Sequence, residues 1–111
     1  MSESKRRKAA NEAVFRAVNE QIKELQRPSA VVEGESLDIV CECDRLDCVD
    51  PLTVDLETYE RVRGDSTLFL IAPGHEDDSI EDVVDTGNGY VIVRKRPGEP
   101  QQIAEQTDLR A

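Results

Sequence analysis

Tryptophan is absent from this 111-residue chain, and phenylalanine and tyrosine contribute two residues each. With aromatics at 4% and apolar residues at 38%, the core must be small and aliphatic. A chain of this length is marginal on burial alone, and a metal staple would supply stability that a small core cannot. Long apolar runs are lacking too, so no stretch reads as a membrane-spanning helix. The N-terminal segment is basic but no apolar stretch follows it, so it does not read as a signal peptide. A cytoplasmic protein with reduced thiols is the expectation, and an odd cysteine count argues against a disulfide framework. A phosphate-cradling glycine loop is missing: Gly87-Asn88-Gly89 reads as a hairpin turn, not as GxGxxG.

Positive charge is scarce where it would matter for nucleic acid. Residues 28–93 hold three basic and seventeen acidic groups, a net of −14 within an overall −10. Residues 1–27 hold seven basic and four acidic groups, net +3, and residues 94–111 four and three, net +1. The acidic middle repels phosphate backbones, which makes nucleic acid an unsuitable partner and a basic protein surface the complementary one. The cluster Lys5-Arg6-Arg7-Lys8 reads as a solvated arm, or as a clamp onto an acidic partner or nucleic acid.

What the chain does contain is a concentration of soft ligands. Cys41, Cys43 and Cys48 form C-x-C-x4-C, and the one histidine, His75, follows in the turn Ala72-Pro73-Gly74-His75-Glu76. Three thiols and an imidazole complete a tetrahedral Cys3His zinc set. On one strand face, Cys41 and Cys43 would have Cα atoms roughly 6.6 Å apart, close enough for their sulfurs to converge. Asp44 and Asp47 are oxygen ligands in reserve should His75 not take part. The alternatives are buried cysteines that merely pack, and a turn histidine that bonds backbone carbonyls.

Hydrophobic spacing sets out the rest. Val14, Val18, Ile22 and Leu25, flanked by Phe15 and Ala10, predict an amphipathic helix capped at Asn11 and ended by Pro28, with their stripe facing the core. A linker follows to Ser36. Leu37, Ile39, Cys41 and Cys43 alternate as a strand, and Leu52 and Val54 continue a hairpin. Asp55 and Gly64 bracket a short helix, Leu56 to Arg63. Thr67 to Ala72 reads as a strand central to a sheet, and Ile80 to Thr86 with Tyr90 to Val93 as a second hairpin. From Pro97 on, two prolines, paired glutamines and few apolar groups predict disorder. The expected organisation is a basic flexible arm (1–10), one α+β domain (11–96) and a disordered tail (97–111). In that domain a long N-terminal helix and a short helix pack on a small, mostly antiparallel sheet, with a structural zinc site.

The segments NEAVFRAVNEQI (11–22), IVCECDRLDC (39–48), LTVDLETYERVR (52–63), FLIAPGHED (69–77) and GYVIV (89–93) together resemble a family of small, uncharacterised bacterial proteins of high-GC lineages. The resemblance covers most of residues 11–93, and it implies that Cys41, Cys43, Cys48 and His75 are the positions the family pattern marks. It implies no activity.

The first functional reading is a zinc-stabilised, non-enzymatic interaction or regulatory module whose acidic surface engages a basic protein partner. A variant has the acidic segment imitate nucleic acid before a DNA-binding protein. The alternative is a thiol-based redox or metal sensor, in which the three cysteines release zinc or form a disulfide on oxidation. A third reading, a small metal-dependent hydrolase, would use Glu76 as its base and needs an open coordination position.

Overall fold

The computed structural model describes residues 3–26, 36–45 and 47–110. Along the chain these form α1 (Glu3–Gln26), β1 (Ser36–Val40), β2 (Pro51–Asp55), α2 (Leu56–Arg63), β3 (Leu68–Ile71), β4 (Glu81–Thr86), β5 (Val91–Lys95) and α3 (Glu99–Gln106). The fold is α+β, with its strands in two small antiparallel sheets rather than one.

In the first sheet β1 and β2 pair from Ser36 opposite Asp55 to Val40 opposite Pro51. The period-two pattern places Leu37, Ile39, Leu52 and Val54 inward, in directly opposed pairs. β1 stops at Val40, so Cys41 and Cys43 lie just past its end rather than within it. The second sheet has the order β3-β5-β4. β5 is therefore central, and β3, expected there, is an edge strand. Its open edge is covered: Glu42 N–H donates to Leu70 O (2.9 Å), and Leu70 N–H donates to the Glu42 carboxylate (3.0 Å). An apolar run such as Leu68–Ile71 fits either a central strand or a covered edge, because both bury it. The β4–β5 hairpin forms as expected, with a bulge at Val83/Asp85 and Gly89 at φ 86 in its turn.

α2 spans the expected residues, although Gly64 closes it in the right-handed region (φ −70) and Asp55 makes no side-chain cap. The other helices depart further from expectation. α1 does not begin at Asn11 but runs from Glu3 through the basic cluster. Arg6 bonds Glu99 (3.3 Å) and Lys8 bonds Asp77 (2.7 Å), offsetting the repulsion between these cations and the positive helix end. Asn11 instead donates to Asp44 O (3.0 Å). The segment expected to be disordered carries α3, with buried Ala104 against α1. Arg16 secures it by donating to Ala104 O (2.8 Å), Thr107 Oγ1 (3.0 Å) and Ser66 O (2.6 Å). The expected helix stop at Pro28 and the linker before Ser36 fall outside the described residues.

The expected apolar stripe of α1 is inward only in part. Glu12, Arg16 and Asn19 point inward, whereas Val14, Val18 and Leu25 are exposed. Lys95 bonds the buried carboxyl groups of Glu12 and Glu81, and Asn19 exchanges bonds with both N and O of Val40 (2.9 and 2.8 Å). Of the expected apolar positions Phe15 is buried and Ile22 packs against the core, beside Ala9 and Ala13, so polar contacts and a narrower apolar strip together orient this helix.

Candidate metal centre

The centre is built from two turns that meet between the sheets. The first begins where β1 ends. Cys41 N–H donates to Asp50 O (2.8 Å) and Cys48 N–H to Arg45 O (3.1 Å), folding the C-x4-C loop back on itself. Between Cys41 and Cys43, Glu42 projects the other way into a fully buried network. Its carboxylate accepts two 2.7 Å bonds from Arg63 and one of 2.7 Å from Asn19. In extended chain, neighbouring side chains point oppositely, so anchoring Glu42 turns both flanking thiols toward the site. The second turn follows β3. Pro73 supplies the fixed φ of its first corner and Gly74 the positive φ (86) of its second, closed by His75 N–H to Ala72 O (3.0 Å). This is the arrangement of a type II turn, and it presents His75 beside the cysteine loop.

The structure thus brings together all four residues that the sequence singles out. The ligand atoms of Cys41, Cys43, Cys48 and His75 lie within 4.8 Å of one another. His75 Nδ1 is 3.6 Å from Cys41 Sγ and 3.5 Å from Cys48 Sγ. Zinc bonds near 2.3 Å to sulfur and 2.0–2.1 Å to nitrogen, set at a tetrahedral angle, separate S from N by roughly 3.5 Å. The donor set and its spacing therefore fit zinc.

Cys41 and Cys43 are fully buried, and burial pushes both thiols up from their ordinary value. Backbone N–H groups work against that shift: Ala72 N–H donates to Cys41 Sγ (3.1 Å), and Arg45 acts likewise on Cys43. Donors aimed at sulfur suit thiolates, which a bound divalent cation would favour over thiols.

On the far side of the imidazole, His75 Nε2 lies 3.5 Å from Asp50 Oδ2. A carboxylate there favours the proton on Nε2 and leaves Nδ1 free to ligate. Asp50 was not legible as a site residue, since it is one of many acidic residues and its role depends on where His75 arrives. Glu42 and Asn19 were equally hidden. The reserve ligands Asp44 and Asp47 are outside the clustered set, as is Glu76. Glu76 and Asp44 instead act electrostatically on Glu81.

Among the described residues no helix is long and apolar enough to cross a membrane. No protein-family model, curated protein or solved structure matches this chain.

Proposed function

We propose that this protein is a zinc-stabilised, non-enzymatic interaction or regulatory module. One observation carries the reading: His75 Nδ1 stands 3.5 and 3.6 Å from two cysteine sulfurs, the separation that tetrahedral zinc imposes. Cys41, Cys43 and Cys48 lie in the loop that joins β1 to β2, and His75 follows β3, so one ion would tie the two sheets together. Bound zinc supplies a structural cross-link, and four protein donors fill its tetrahedron. This favours a staple over the hydrolase reading, which requires an open position. Full burial of Cys41 and Cys43 likewise favours an inert site over the redox-sensor alternative. The net −14 of residues 28–93 supports a basic protein partner, met in the cytoplasm.

Elemental analysis of protein purified without added metal tests the proposal. It should find about one equivalent of zinc, and chelation should lower the unfolding temperature. His75→Ala should retain zinc less tightly. Absence of zinc from the wild type, or unfolding indifferent to chelator, would remove the proposal. Zinc released by mild peroxide would transfer support to the sensor.

A further inference from the structure

Two buried carboxyl groups lie under α1, and their hydrogen bonding differs. Glu42 accepts at both oxygens, from Arg63, Asn19 and the Leu70 N–H. Glu12 is placed otherwise. Its side chain and those of Lys95 and Glu81 are 0% exposed, and Lys95 Nζ contacts the Glu12 carboxyl group. Yet neither Glu12 oxygen takes a hydrogen bond among the described residues. Lys95 Nζ donates instead to Glu81 Oε1 (2.8 Å), and Glu81 Oε2 accepts from Asp77 N–H (3.1 Å). A carboxyl group buried beside an amine without hydrogen bonds is costly to keep as it is.

We propose that Lys95 Nζ and the Glu12 carboxyl carbon become joined in an intramolecular amide, an isopeptide cross-link formed with loss of water. Glu12 rather than Glu81 is the acyl partner, because both Glu81 oxygens are held in hydrogen bonds and the Glu12 oxygens are not.

The step is a condensation, so it consumes no oxidant, reductant or cofactor. The lone pair of Nζ forms a bond to Glu12 Cδ, the bond from Cδ to its hydroxyl breaks, and the hydroxyl leaves as water. Glu81 carries the proton: it gives its own to the departing hydroxyl and takes one from Nζ, ending as it began. The surroundings suit each part. Burial lowers Lys95 to about 7, which makes the neutral amine available near neutral pH. Burial also raises Glu81 to about 8, so it still holds the proton it must give. The Phe69 ring lies 4.8 Å from Nζ, and a site closed to water protects the amide from hydrolysis. Contact enforced by the fold replaces the activation that such a condensation needs in solution.

The bond fastens α1 to β5, the central strand of the second sheet. All three cysteines are free and gather at the metal centre, so no disulfide closes the chain. A cross-link from residue 12 to residue 95 restrains the unfolded chain as a long-loop disulfide would, and it does not depend on zinc.

Mass spectrometry of the full chain, denatured and stripped of metal, tests this. The wild type should be one water lighter than its sequence requires, whereas Lys95→Met and Glu12→Ala should each carry their full mass. Tryptic digestion of the wild type should yield a branched peptide joining the segments that hold Glu12 and Lys95, with no cleavage after Lys95. Both readouts are covalent masses, and the wild-type result stands whether or not either variant folds. A wild type of full mass would overturn the proposal, as would a water lost at any place other than between Glu12 and Lys95.

Discussion

Glu42 and Arg63 form a buried, two-bonded pair, 2.7 Å at each contact, directly behind the two neighbouring cysteines. Three elements meet at this pair. Asn19 brings α1, Arg63 belongs to α2, Leu70 belongs to β3, and Glu42 sits between Cys41 and Cys43. The guanidinium also lies over the rings of Tyr59 (5.3 Å) and Phe69 (6.0 Å). The pair defines the backbone from which the thiols project.

Glu42→Ala should therefore destabilise the fold by about 3–5 kcal/mol, because it strands a buried guanidinium. The double change Glu42→Met with Arg63→Leu should cost much less, since neither charge is then left alone. Denaturant unfolding of the single and double variants makes the comparison. A single variant within about 1 kcal/mol of wild type would show that the pair does not set this backbone.

How much of this the sequence discloses depends on how local each determinant is. α2 could be read to the residue because its apolar spacing and its following glycine lie within a single window. The ligand set could be read because three cysteines and one histidine leave few combinations. The inward face of α1 could not be read. Glu12, Arg16 and Asn19 find their partners at Lys95, Ala104 and Val40, far along the chain, while hydrophobicity alone turns Val14 and Val18 inward. α3 was hidden for the same reason, since its composition is that of a tail and its anchor is Arg16 on another helix.

Asp50 should act on zinc through His75. Asp50→Ala removes the carboxylate beside Nε2 and should weaken zinc binding about 10- to 100-fold. Asp50 is exposed, so the metal-free protein should lose little stability. Competition titration against a chromophoric chelator measures the affinity. Unchanged affinity would mean that the turn alone orients the imidazole.

Glu81 gives the fold a pH dependence of defined sign. Burial, reinforced by the carboxylates of Asp77, Asp44 and Glu76, pushes it from 4.5 up to about 8, although a backbone N–H from Asp77 opposes the shift. Glu12 and Lys95 complete its surroundings. The folded state thus holds this proton where the unfolded chain has released it. Its stabilising contribution is complete below pH 4.5 and is lost as pH rises toward about 8. Glu81→Gln should gain stability relative to wild type across that interval. Paired denaturation series on metal-free protein, which exclude the opposite pH dependence of zinc binding, should show a difference that grows with pH. A flat difference would contradict the assignment.

The coordination shell of the bound metal is the most direct test of the staple. X-ray absorption at the zinc edge, on protein purified without added metal, should fit three sulfur ligands at about 2.3 Å and one nitrogen at about 2.0 Å. Substituting His75 should exchange the nitrogen of the imidazole for oxygen or leave a three-sulfur shell. A wild-type shell with fewer than three sulfurs, or one unchanged by loss of His75, would contradict the Cys3His centre.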